Sequence, residues 1–142
     1  MGLIGQNPNR YQGYGYGNIS QRHENNQFII SGTQTGGKKS LSNIDYCLVT
    51  NVNLPQNKLY STGECKPSSE ALSHASVYVK NTTIDCVIHA HSPEIWLSTS
   101  ALKLPHTPKE IPYGTPEMAT AIAQLINTSS SGLFTMLGYL LC

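Results

Sequence analysis

Apolar residues along the chain fall into short blocks separated by glycine, proline and polar turns, and their spacing predicts strands first and helices later. Residues 27–31 and 46–50 read as strands, divided by a tight polar loop over 32–37. A weaker strand over 58–61 ends at Gly63. Pro67-Ser68-Ser69-Glu70 opens a helix to about Lys80, with serines at the cap, an acidic residue in the first turn, and Leu72, Ala75 and Val79 at helical spacing. The apolar run over 84–91 is the strongest strand. Pro93 begins another helix, Pro105 and Pro108 interrupt the next stretch, and Thr115-Pro116-Glu117 restarts a helix to Ile126. A last apolar strand is expected over 133–137. No internal repeat appears, and the order of elements points to one sheet covered by helices, an α/β or α+β layering.

Composition narrows the function classes. The 142 residues suffice for one domain, with 39% hydrophobic residues and only 12% charged ones. Nine basic against eight acidic side chains leave a net charge of +1, which offers no electrostatic footing for nucleic acid or an anionic membrane. No apolar run reaches the roughly 18 residues of a membrane span, and the start carries no signal-peptide pattern. Cys47, Cys65, Cys86 and Cys142 are far apart with no C-x-x-C, so Cys47 and Cys86 are expected as reduced core residues of a cytoplasmic protein. Gly13, Gly15 and Gly17 alternate with Tyr14 and Tyr16 in a loop over 5–18. This is not a dinucleotide fingerprint, because no apolar strand precedes it and no helix follows.

His89 and His91 are the sharpest chemical feature. Two residues apart in a strand, their side chains share a face about 6.5–7 Å apart at Cα. Neutral imidazoles so placed suit zinc, iron or nickel; the plainer reading is two exposed or hydrogen-bonded histidines. Asp85 and Val87 share that face, and Cys86, Ile88 and Ala90 take the other. Glu70 is the second candidate, its carboxylate standing near a helix start, where the plainer reading is an acidic residue complementing the helix dipole. Ser68 and Ser69 beside it offer hydroxyls where backbone N–H groups favour an anion. Gly17-Asn18 and Thr35-Gly36 are loop dipeptides of the kind that cradle anionic or hydroxylated ligands. His23, His74 and His106 are expected to be surface or hydrogen-bonded residues.

In order, Gly17-Asn18-Ile19-Ser20, the Thr35-Gly36 loop, Lys66-Pro67-Ser68-Ser69-Glu70 and His89-Ala90-His91 resemble the class II aldolase/adducin family over about residues 13–139. The resemblance implies a three-layer α/β/α fold with a central, mostly antiparallel sheet flanked by helices. It implies a metal-dependent lyase acting on a small sugar or sugar phosphate through an enediolate, with epimerase and dehydratase chemistry sharing the same arrangement. His89 and His91 would be two of three ligands to a divalent metal, usually zinc, and Glu70 the proton-moving group. Gly17, Asn18, Thr35, Gly36, Ser68 and Ser69 would hold the substrate, its phosphate included. Family members are homo-oligomers. The alternative is a non-catalytic, adducin-like interaction domain or pseudoenzyme that keeps the fold.

Two departures stand out. The family's third ligand is a histidine after the last apolar strand, usually in Gly-His; here Gly138-Tyr139 occupies the place. The chain also stops at Leu140-Leu141-Cys142, short of further family elements, so a single domain incomplete at its C-terminus is expected over 1–142. A neutral tyrosine, with a pKa near 10, is a poor substitute for imidazole around neutral pH. Tyr139→His is therefore expected to tighten metal binding in a zinc titration; unchanged affinity would show that this position is not the third ligand's.

Overall fold

The computed structural model describes residues 2–128 and 132–137. Two small strands lead: β1 (Gly5–Gln6) pairs antiparallel with β2 (Gly15–Tyr16), so part of the expected glycine-rich loop folds back on itself. The main sheet comprises β3 (Asn18–Arg22), β4 (Phe28–Ser31), β5 (Tyr46–Asn53), β6 (Lys58–Gly63) and β7 (Cys86–His89). Its order is β6-β5-β4-β3-β7, every neighbour antiparallel. Three helices complete the α/β fold: α1 (Ala71–Lys80), α2 (Pro93–Leu97) and α3 (Pro116–Thr128). No helix among the described residues is long and apolar enough to cross a membrane.

The chain leaves β6 at one edge of the sheet and enters β7 at the other, and α1 lies in the connection between them. The core forms where α1 meets the sheet. Phe28, Ile30, Cys47 and Val49 point inward from β4 and β5 and meet Ala71, Ala75 and Tyr78 of α1. The other side of α1 packs on α3, Val77 against Met118 and Ile122. Burial on two sides explains why the helix face differs from the one read off apolar spacing. Residues 71, 74, 75 and 78 form one stripe, Ser73 and Val77 widen it, and Val79 stays 47% exposed. Glu70 does not lie inside the first turn but at the N-cap position, without a side-chain capping bond, since the helix begins at Ala71.

Strand β3 has no counterpart among the expected elements. Its inward residues, Asn18 and Ser20, are polar, while Ile19 points the other way, so its alternation is inverted relative to a core strand. The strand expected over 84–91 shrinks to four residues, and His91 lies just beyond it, its N–H donating to the Leu3 carbonyl (2.8 Å). Cys47 is buried as expected, and burial together with the neighbouring Cys65 thiol pushes its pKa up to about 12. Cys86, in contrast, is exposed, because the register that turns Val87 and His89 inward turns Cys86 and Ile88 out. Residues 133–137 form no sheet strand. Thr135 makes an isolated bridge to His106, exchanging backbone bonds with Pro105 and Thr107 (2.9 and 3.0 Å), and its hydroxyl accepts from Thr99. Polar pairing shapes that segment, and Phe134 and Met136 pack from it against the cluster of Val77, Met118 and Ile122.

Arg22 closes the far end of α1. Its guanidinium donates to the carbonyls of Tyr78 (3.0 Å), Asn81 (2.7 Å) and Ile84 (2.8 Å), and it lies 4.7 Å from the centre of the Tyr78 ring. A cation satisfying the last carbonyls of a helix is favoured by charge as well as hydrogen bonding. Arg22→Met is expected to lower unfolding stability by about 2–3 kcal/mol in urea titrations, with the denaturant slope unchanged.

Candidate active site

Antiparallel pairing of β3 with β7 sets Asn18 opposite His89 and Ser20 opposite Val87. The His89 ring lies beside that of His91, centroids 4.8 Å apart and tilted by 31°. Two residues missed by the sequence reading hold His91 from the other side: the rings of Tyr11 (4.6 Å, edge-on) and Tyr16 (5.1 Å). Tyr11 takes this position with a left-handed backbone, φ 51°, a strained conformation that packing must maintain. Burial holds the pKa of both imidazoles below its ordinary value, that of His91 at about 4 with a contribution from His89's charge. Both are therefore neutral near pH 7, the form that binds metals.

Glu70 and a third imidazole, His74, line the same cleft as His89 and His91, a cavity of about 1720 Å³. Glu70 is 7% exposed. Burial raises its carboxyl pKa, and the Ser73 hydroxyl, donating to Oε2 at 2.8 Å, opposes the shift. A carboxyl shifted in this direction holds its proton more readily than an exposed one, as general acid–base work requires.

His74 is 2% exposed, so it is not the surface residue its helical position suggested, though it is hydrogen-bonded. Its Nδ1 lies 2.6 Å from Ser20 Oγ, which lies 2.7 Å from the Tyr78 hydroxyl. Where Tyr78 donates to Ser20 and Ser20 to Nδ1, the His74 proton sits on Nε2. That nitrogen is buried and has no hydrogen-bond partner among the described residues. Burial, then His89's charge, holds the His74 pKa at about 3.

The three loops carrying the remaining expected site residues meet at one end of the sheet. The Gly15 N–H donates to Gln34 Oε1 (2.8 Å), Thr33 N–H to the Lys66 carbonyl (2.9 Å) and Ser68 N–H to the Ser31 carbonyl (3.2 Å). None of their six expected residues lines the cleft. Thr35 spends its hydroxyl on the Gly32 carbonyl (2.8 Å), Ser68 Oγ accepts from the Glu70 N–H (3.3 Å), and Ser69 is exposed. Gly17 has φ 77°, and a Cβ there would lie 2.7 Å from Ile4 Cγ1. A Cβ on Gly36 would approach the carbonyls of Tyr16 and Gly5 within 2.7 Å. Both glycines are thus required by backbone shape, whatever they bind.

Among the described residues no three histidine, cysteine, aspartate or glutamate side chains are grouped to hold a metal. Tyr139, at the expected third-ligand position, lies outside the described residues. The family model of the class II aldolase and adducin N-terminal domain matches residues 8–132. The chain belongs to this family. No curated protein matches the chain.

Because His74 stays neutral in the fold to about pH 3, while an unfolded histidine takes up a proton near 6.5, acid favours unfolding. Between pH 7 and 5 stability is expected to fall, and His74→Gln should make the fall shallower by up to about 1.4 kcal/mol per pH unit. Urea midpoints across that range check it.

Proposed function

We propose that this class II aldolase-type domain is a metal-dependent lyase for a small sugar or sugar phosphate. The observation that supports it most is the pair of neutral imidazoles, His89 and His91, side by side on the wall of a cleft that also holds the buried carboxyl of Glu70. Two nitrogen donors with lone pairs free of protons near pH 7 fit a divalent cation, zinc above others. Such a cation, when bound, polarises a substrate carbonyl as a Lewis acid and stabilises the negative charge that develops on it.

The protein's own groups supply the rest. Glu70 takes a proton from, or returns one to, the carbon beside that carbonyl or the hydroxyl whose C–C bond breaks. Its raised pKa lets it work in both directions, and Ser73 fixes which oxygen is free by donating to the other. Tyr11 and Tyr16 keep the His91 ring in place and shield it from water. The loops around Gly17, Thr35 and Ser68 meet at one end of the sheet, where turning backbone and hydroxyls suit an anionic group held away from the reacting carbon.

Gly138-Tyr139, where the family pattern carries Gly-His, favours a second reading: the scaffold persists and the metal chemistry is lost. Metal content decides between the two. Purified protein is expected to take up about one equivalent of zinc, and His91→Ala to abolish uptake. Glu70→Gln should keep the metal and lose turnover of a sugar-phosphate substrate by roughly 10²–10⁴-fold. Less than a tenth of an equivalent in the wild-type chain would leave only the non-catalytic reading.

A further inference from the structure

Asn18 occupies an unusual position for a residue expected to hold substrate. It is 6% exposed, it does not line the cleft, and its carboxamide Nδ2 stands 3.5 Å from His89 Nδ1, across the β3–β7 register pair. Its Oδ1 is buried with no partner among the described residues. A carboxamide is nearly symmetric in shape, and a half-turn about Cβ–Cγ exchanges its oxygen and nitrogen. In one orientation the NH2 donates to an unprotonated Nδ1; in the other the oxygen accepts from a protonated one. Asn18 can thus match either neutral form of His89, and whichever end faces the ring decides which ring nitrogen carries the proton.

We infer that Asn18 is a positioning residue for His89, setting its tautomer and ring orientation from within the sheet. The consequence for cation binding rests on the function proposed above. An imidazole that binds a cation through Nε2 must carry its proton on Nδ1, and metal-bound histidines nearly always donate that proton to a carbonyl or carboxylate oxygen. Asn18 Oδ1 is a buried acceptor without a partner among the described residues, and the half-turn of the carboxamide would bring it to the place facing Nδ1 that Nδ2 now holds. The neighbourhood restricts the alternatives. Ser20, the next inward residue of β3, is already engaged by His74 and Tyr78, and His74 Nδ1 is engaged in turn by Ser20. Ring packing on His89 comes from His91, which orients the ring's face but cannot specify its proton.

The test compares wild type, Asn18→Ala and Asn18→Asp in the full chain, labelled with ¹⁵N-histidine. In the metal-free proteins, long-range ¹H–¹⁵N spectra report which nitrogen of His89 is protonated. Wild type should show one tautomer, Asn18→Ala a mixture, and Asn18→Asp, whose side chain only accepts, the Nδ1–H form alone. In zinc titrations Asn18→Ala should weaken binding by about 10–100-fold, and Asn18→Asp should restore it to at least wild-type affinity. An unchanged His89 tautomer in folded Asn18→Ala would overturn the proposal. If wild type takes up no zinc, the metal function fails, and the metal-free tautomer pattern still decides the role of Asn18. Should Asn18→Ala fail to fold, the Asn18→Asp spectrum decides: a His89 still protonated on Nε2 rejects the proposal.

Discussion

Antiparallel pairing between β3 and β7 is the constraint on which the site depends. It places Asn18 beside His89 and Ser20 beside Val87, and leaves Ile19, Cys86 and Ile88 on the opposite face. A slip of one residue would reverse every side chain, since the strand repeat is two. Ile88, 61% exposed, would then occupy the place of His89. Nothing in the hydrophobic balance of these two strands strongly forbids that slip, because their inward residues are largely polar. The hydrogen bonds of Ser20 to His74 and Tyr78, and the Tyr78 and Asn81 carbonyls held by Arg22, tie the register to α1.

Helix α1 therefore acts as more than a cover. Its small residues, Ala71 and Ala75, let it lie close against Phe28, Ile30 and Val49, which anchors it apolar side down. The same helix brings Glu70 and His74 to the cleft one turn apart. Burial at its sheet side removes water from these groups, raising the pKa of the acid and lowering that of the imidazole. Most of the polar cost is met by partners. Asn18 Oδ1 and His74 Nε2 are the exceptions among the described residues, and both lie around His89 in the fold. Buried polar atoms seldom go unmatched without a functional reason.

Legibility in the sequence followed burial on one side. Strands β4 and β5 were readable because Phe28, Ile30, Cys47 and Val49 alternate against polar or half-exposed neighbours. Helix α3 was readable for the same reason, with Met118 and Ile122 at helical spacing. Strand β3 was not, since its inward side chains belong to the polar network. The face of α1 was read about one residue off, because Tyr78, His74 and Ser73 count as polar in a pattern yet are buried. Residues 133–137 looked like a strand on apolar content, but a parallel partner at 105–107 and threonine hydrogen bonds shape them instead.

Within the site, the spacing of His89 and His91 carried its own meaning: a period of two is local geometry and survives any packing. The loop motifs were equally local, and so was the place of Glu70 at a helix start. The sequence alone determined which residue types were available and which local element each belonged to, because backbone period, proline and glycine act over a few residues. Tertiary structure decided that His74 is buried beside them, that Tyr11 and Tyr16 close on His91 and that Asn18 faces an imidazole instead of the cleft. These facts depend on contacts between residues as far apart as 71 positions, set by sheet register and helix docking, which no local pattern encodes.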